Sequence, residues 1–388
     1  MRKYLGFLFD VLICSLSSFG GPEAHYGVFS NILVQKKKYL DEETLSEMIG
    51  VFALVPGPSS TQTITAIGYM VGGPLLAFLT FMVWAFPAIL IMTFVGVFFD
   101  VVINQNQFSI LLNILPSIAI GFIAYAGWSL SKKVLQKQDD WIVFFLSIVV
   151  GFLLLPYASW SVPMILILAG LIKWIWHPVK SKAPSVSVRV HWIWLIFVVS
   201  IAMLNVVLLT WIQQPWFQLM TSFYRYGYSV IGGGQIVIPY MIQDLVNQQT
   251  FISLETFLAG YAIDQAIPGP LFSFAAFVGA QASAGDSFSW LIGITSGLVI
   301  FLPGILLVYF IYPIWQGLRK QQWMKQMLSG IRVAAAALIT LTALTQLSLL
   351  TPSWLTYGYV VLTTFLLFMR KIPAPLIVLL VMVFGLIF

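Results

Sequence analysis

Along this chain, long apolar runs alternate with short polar turns. A bilayer core needs about 20 apolar residues per helix, with a range of about 17 to 25. Five runs meet that length: 75–99, 109–131, 192–212, 287–315 and 327–350. Two shorter pairs, 141–156 with 161–176 and 353–369 with 372–388, are split by turns carrying Pro156 or Lys371. Each pair reads as two thin spans or as one buried hairpin. Four further stretches are apolar but interrupted: 4–35 at Gly20-Gly21-Pro22, 44–73 at Pro56-Gly57-Pro58, 216–247 at Gly232-Gly233-Gly234, and 252–285 at Pro268-Gly269-Pro270. Their short arms suit helix–break–helix hairpins that dip in and return. The pattern predicts an all-α polytopic membrane protein with nine full spans and four re-entrant or broken-helix hairpins.

The interruptions repeat. The offset from Gly20-Gly21 to Gly232-Gly233 equals the offset from Pro56-Gly57-Pro58 to Pro268-Gly269-Pro270, so the glycine pair precedes the triplet by the same interval in each half. Gly68 and Gly73 are echoed by Gly279 and Gly285, and Phe86-Pro87 by Leu302-Pro303. Residues 1–176 therefore read as a first repeat and 213–388 as a second. Between them, 177–212 is a polar, basic linker followed by a helix with no counterpart ahead of the first repeat. An unpaired crossing delivers the second repeat from the opposite side, which predicts inverted topology, the architecture of secondary transporters with a midplane site.

Composition narrows the function. The chain is 60% hydrophobic and 8% charged, against roughly 25% charged in soluble chains, which excludes soluble enzymes, nucleic-acid binders and disulfide scaffolds. Cys14 is the single cysteine, so no intrachain disulfide forms. The net charge of +6 reports topology: with all four hairpins re-entrant, 17 of the 19 basic residues fall on one side, from Arg2, Lys3 and Lys36 to Lys38 through Lys132, Lys133 and Lys137 to Arg370 and Lys371. The opposite loops carry Asp100, Asp244, Glu255 and Asp286. By the positive-inside rule the N-terminus is cytoplasmic and the C-terminus outside.

The candidate chemistry sits at the breaks. A helix start leaves backbone N–H groups unpaired and carries partial positive charge. Pro58 suits the first helical position, Gly57 lets the chain turn, and Ser59, Ser60 and Thr61 add hydroxyls, so a start buried there would bind an anion. Pro270, Leu271, Phe272 and Ser273 repeat the arrangement with less polarity. Charges inside apolar segments are functional candidates because each is costly unless compensated: Asp10, Glu23, Arg225, Asp264 and Arg332. Arg225 could hold a tetrahedral oxyanion through its planar fork, while Arg332 reads as snorkelling to the interface. Glu23 and Asp264 are proton-coupling candidates. His25, three residues after Pro22, reads as a packed hydrogen-bonding side chain. His177 and His191 have no metal-ligand spacing. With no Walker, GxSxG or HExxH motif, neither an ATPase nor an enzyme is indicated, and no metal or cofactor is expected.

Phe19-Gly20-Gly21-Pro22-Glu23-Ala24, Pro56-Gly57-Pro58 with Gly68-Tyr69, Gly232-Gly233-Gly234 and Pro268-Gly269-Pro270-Leu271-Phe272 together resemble the chromate ion transporter superfamily in its long-chain, two-domain form. The resemblance implies chromate efflux across the bacterial cytoplasmic membrane and chromate resistance, driven by the membrane potential or proton gradient. It marks Gly20, Gly21, Pro22, Pro56, Gly57, Pro58, Gly232, Gly233, Pro268, Gly269 and Pro270 as motif residues; Ser59, Ser60, Ser273, Arg225 and Gly234 join them as substrate-binding candidates from the reading above. Gly279-Ala280 departs from the Gly-Tyr common at that place, so the two copies are not strictly symmetric. The expected function is alternating-access transport of chromate, with a channel or transporter for sulfate or another inorganic anion as the alternative. The expected partners are the anion and the bilayer, not nucleic acid; a homodimer stays open.

Overall fold

The protein is described by a computed structural model over residues 2–19, 22–52, 55–103, 111–155, 161–178, 191–230, 237–314, 322–350, 353–369, 372 and 374–387. Every regular element among these is helical. In the first half they are α1 (Arg2–Ser17), α2 (Pro22–Phe29) prolonged by a π-helical turn (Ser30–Lys36), α3 (Glu42–Phe52), α4 (Ser59–Ile103), α5 (Leu111–Val134), α6 (Gln138–Leu154) and α7 (Ser161–Trp176). Then comes α8 (Trp192–Leu209). The second half holds α9 (Pro215–Ser229), α10 (Val237–Met241) prolonged by a π-helical turn (Ile242–Gln248), α11 (Leu254–Asp264), α12 (Phe274–Ala282, entered through a 3-10 turn Leu271–Ser273), α13 (Ser289–Val299) and α14 (Leu302–Ile311). It closes with α15 (Gln322–Leu349), α16 (Trp354–Met369) and α17 (Ala374–Ile387).

Five helical stretches are long and apolar enough to cross a membrane: Ser59–Val101, Ile114–Val134, Trp192–Leu209, Ser289–Ile314 and Ser329–Ser348. They fall on the five long runs of the sequence, with two differences. At the boundary expected at Gly73, α4 is two helices joined across a kink, where Gly72 and Gly73 both leave helical geometry (Gly73 φ 78°) ahead of Pro74. The run 287–315 is in turn divided into α13 and α14, because Pro303 has no N–H to donate to the preceding turn.

Elements of the first half return in the second at the offset of the breaks. The two π-helical turns match in length and position, and α3 and α11 match end to end. Each π turn closes the same way: the Tyr39 N–H reaches the Leu33 carbonyl at 2.8 Å and the Phe251 N–H reaches Leu245 at 2.8 Å. Between donor and turn, Lys38 and Thr250 take φ of 53° and 52°.

Contacts divide the chain into two compact units that cut across the sequence halves. The first comprises 1–97, 181–234 and 268–322. Its interior is aromatic: Trp84, fully buried, meets the edges of His25 and Phe29, and Phe301 packs between Phe81 and Phe272. Within it α8 packs on α9 and α14 yet leaves Ile193, Ile196, Val199, Met203 and Val206 exposed, with exposed Trp192 and Trp211 at its two ends. An exposed apolar helix flanked by tryptophans is what a lipid-facing span requires. The second unit comprises 98–180, 235–267 and 323–388. There α5 packs against α11, α16 and α17, and residues 333–338 of α15 are wholly buried. Small residues allow this close approach: Gly330 abuts Ala169, and Gly127 abuts Thr340.

Candidate functional site

Both Pro-Gly-Pro breaks lie in the first unit, and each is fastened to the chain just ahead of the other half's glycine cluster. The Gly57 N–H donates to the Val230 carbonyl at 2.7 Å, and the Gly269 N–H donates to the Ser18 carbonyl at 2.8 Å. The two bonds are reciprocal across the halves. Gly57 and Gly269 adopt φ of 119° and 129°, which a side chain would strain. Space is also closed. A Cβ on Gly57 would stand 3.0 Å from the Gly304 Cα, and one on Gly269 would stand 2.5 Å from the Ala88 Cβ.

The prolines act as caps, one position ahead of the first-helical place expected for Pro58. The Pro58 carbonyl accepts the Gln62 N–H at 2.9 Å, opening an α turn. Pro270 (φ −75°, ψ 136°) instead accepts from the Ser273 N–H at 2.9 Å, opening a 3-10 turn. An extended residue ahead of the first turn needs no N–H of its own, so proline loses nothing there.

The two starts meet at one cleft lined by His25, Pro58, Ser59, Ser60, Pro270, Leu271 and Phe272. It offers about 10 Å³, on the order of one water. The first start is polar and tied down. His25 Nδ1 lies 3.0 Å from Ser60 Oγ, the Tyr26 hydroxyl donates to Ser59 Oγ at 3.0 Å, and Trp84 Nε1 donates to Thr61 Oγ1 at 3.0 Å. Gln62, fully buried, donates through Nε2 to the Pro56 carbonyl at 2.7 Å and to Gly304 at 3.2 Å. The second start presents Leu271 and Phe272. Chemically the arrangement can offer backbone N–H donors from two helix starts, with hydroxyls from one of them.

Of the residues expected at the site, Pro58, Ser59, Ser60 and Pro270 line the cleft. Pro56, Gly57, Pro268 and Gly269 form the breaks behind them, and Ser273 is buried inside the second start without lining the cleft. Arg225 is not among the lining residues; its guanidinium stands 5.8 Å from the Tyr226 ring and donates to Ser222 Oγ at 3.4 Å. Asp264 is buried at the last turn of α11, in the second unit. Gly20, Gly21, Gly232, Gly233 and Gly234 lie outside the described residues; Pro22 and Glu23 open α2, their side chains outside the description. Asp10 is compensated: it pairs with Lys37 at 2.9 Å and accepts from the Tyr39 hydroxyl at 2.8 Å. Burial and then the Asp10 carboxylate push the Tyr39 phenol up to about 12. Sequence reasoning missed Gln62, Tyr26 and Trp84, while its reading of His25 as a packed hydrogen-bonding side chain fits the buried ring beside Ser60. His25, Tyr26 and Trp84 stand 23 to 35 residues from their partners and Gln62 stands 242 residues from Gly304, so no local spacing marks them.

The profile of the family described as "Chromate transporter" matches residues 5–174 and again residues 217–386. The chain belongs to the chromate transporter family. Both halves carry the family's signature, as the long two-domain form requires, and with the five long apolar helices this makes it a multi-pass membrane protein of an ion transporter family. Among its relatives is an uncharacterised transporter of Methanocaldococcus jannaschii, 26% identical over 98% of this chain and 93% of the relative. A "Probable chromate transport protein" of Synechococcus elongatus is 23% identical over 95% of this chain and 92% of its own length. A "Chromate transport protein" of Cupriavidus metallidurans is 21% identical over 83% and 77% respectively. No solved structure matches this member of the family.

Proposed function

We propose that this chain is a secondary active transporter of a tetrahedral oxyanion, with chromate as its leading substrate, and that it exports the anion to confer chromate resistance. One observation carries the reading: two capped helix starts, one from each half, meet at a single cleft in the first unit. Helix starts favour anions through their unpaired N–H groups and dipoles, and the family and the names of the relatives point to the same ion class. The cleft has room for about one water, so an oxyanion enters only when the starts part. Alternating access supplies that step: the starts separate towards one side, close on the anion, and part towards the other.

In this reading 1–176 and 213–388 are inverted repeats, joined through 177–212 and the connector α8. The helical elements that recur in the second half at a constant offset and the family profile that matches twice support it. The four broken stretches are re-entrant hairpins, the protein sits in the bacterial cytoplasmic membrane, and the N-terminus is cytoplasmic with the C-terminus outside. Pro56 to Ser60 and Pro268 to Pro270, with the glycine clusters, form the binding region. Arg225 supplies positive charge on α9, the helix leading to the Val230 carbonyl that holds Gly57. Glu23 and Asp264 are the proton-coupling groups. One chain supplies both helix starts, so a homodimer is compatible and not required.

Uptake of chromate into inside-out vesicles, with and without an uncoupler and with excess sulfate, tests the proposal. Saturable uptake that the uncoupler abolishes, and that Pro58→Ala or Arg225→Ala loses, supports a gradient-driven exporter. Uptake equal to that of empty vesicles, with the protein folded and inserted, removes chromate as the substrate. Flux that never saturates indicates a channel.

A further inference from the structure

The second unit contains a cavity of about 280 Å³ that shares no lining residue with the cleft. It is bounded by the end of α5, the following loop, the α6–α7 hairpin and α15. Lys133 and Lys137 stand at its exposed rim, Arg332 is half-buried in its wall, and Lys173 is buried at its base. The base is fixed. Lys173 Nζ pairs with Asp139 at 2.6 Å and with Asp140, and His177 Nε2 lies 2.6 Å from Asp139. Asp140 also accepts from the Lys137 and Gln136 backbone N–H groups at 2.7 and 3.0 Å. Both carboxylates are thus consumed in holding Lys173 and the loop. Among the described residues, four cationic side chains, Lys133, Lys137, Lys173 and Arg332, line the cavity together with Asp140.

Exposed tryptophans mark the level. Trp128 and Trp141, and Trp174 beside Lys173, lie within about a turn or two of the cavity residues along their helices, and Lys132 Nζ stands 5.2 Å over the Trp128 ring. Tryptophan and lysine together occupy the headgroup layer of a bilayer. We propose that this cavity binds a phosphate-class tetrahedral anion, and that its source is the headgroup of an anionic lipid. Lys137 and Arg332 grip the phosphate while Lys173, held by its two aspartates, supplies a fixed charge beneath it. Ser329 and Gln326 on α15 complete the lining with neutral donors. The site is separate from the helix-start cleft, and the inference does not depend on what the protein transports.

The test uses the full chain in nanodiscs of phosphatidylcholine with and without phosphatidic acid, scored by native mass spectrometry for retained lipid and by melting temperature. A parallel arm titrates inorganic phosphate into phosphatidylcholine nanodiscs. Retention of phosphatidic acid over phosphatidylcholine is expected, weakened about fivefold for each charge removed in Lys137→Gln and Arg332→Gln, with Arg332→Lys partly restoring it. Saturable binding of inorganic phosphate with the same dependence, and no preference for phosphatidic acid, keeps the site and overturns the lipid source. Binding of neither probe, or binding indifferent to both variants while each melts as the wild type does, overturns the proposal. Lys173→Gln is avoided, because it leaves two carboxylates without their cation.

Discussion

The two Pro-Gly-Pro breaks share a backbone and differ in almost everything attached to it. Gly57 and Gly269 hold nearly the same φ, and each donates to a carbonyl just ahead of the other half's glycines. Past the cap, however, the first start opens an α turn with Ser59, Ser60, Thr61 and Gln62, all buried and hydrogen-bonded. The second opens a 3-10 turn with Leu271 and Phe272. The difference teaches that the turn and the reciprocal bond are what both copies need to form the cleft. In our reading the anion's side-chain donors come from the first start and apolar walls from the second.

The largest expected effect falls on what the breaks share. Gly269→Ala combines backbone strain of about 1–3 kcal/mol with an overlap at Ala88, which adds about 1–3 kcal/mol. Thermal melting of the purified protein should fall well below wild type or show no folded population. Gly57→Ala meets a looser neighbour and should be the milder of the two. Equal tolerance of both would show that the paired turns are incidental.

The next largest effect falls on what differs. Replacing Ser59 and Ser60 together with Ala should reduce chromate uptake by about tenfold or more, from hydrogen bonds to a charged ligand. Ser273→Ala, which does not line the cleft, should stay within about twofold. The reverse ranking would move the binding chemistry to the second start. Gln62→Leu leaves the Pro56 and Gly304 carbonyls without that donor and should cost about 1–3 kcal/mol of stability. Phe274 occupies the matching place in the second half, so the second break has no such tether to lose.

These residues show what could be read in advance. The five long runs are visible because a membrane span needs nothing beyond length and apolarity. The breaks are visible because proline and glycine punctuate a chain wherever they stand. What sequence cannot display is the reciprocal pair of bonds, since a backbone N–H and a carbonyl in opposite halves of the chain carry no side-chain signature. The same holds for Gln62 and His25, whose meaning comes from Gly304 and Ser60. Arg332 reads in sequence as a snorkelling side chain, and only the fold shows that it lines the basic cavity with Lys133, Lys137 and Lys173. Lys173 reads as one of many loop cations, and its burial between Asp139 and Asp140 appears only when α6 folds against α7.

The smallest effect separates the cleft from that ionic cluster. Despite partial burial, hydrogen bonds from Lys173 and His177 hold the Asp139 carboxyl down at about 2. Its folded value lies below the ordinary value of about 3.9. The stabilisation is therefore complete above that value and is lost as pH falls from about 4 towards 2. Asp139→Asn should flatten this part of the acid melting curve. Serine hydroxyls do not titrate there, so the contribution of Ser59 and Ser60 should not follow the same curve.

Equilibrium binding of labelled chromate to the protein in nanodiscs tests the central claim most directly, comparing wild type with the Ser59→Ala, Ser60→Ala double variant and with Ser273→Ala. The account predicts saturable binding that the double variant weakens by about tenfold or more and that Ser273→Ala leaves nearly unchanged. Chromate binding that ignores the first helix start, in variants that melt as the wild type does, would contradict it.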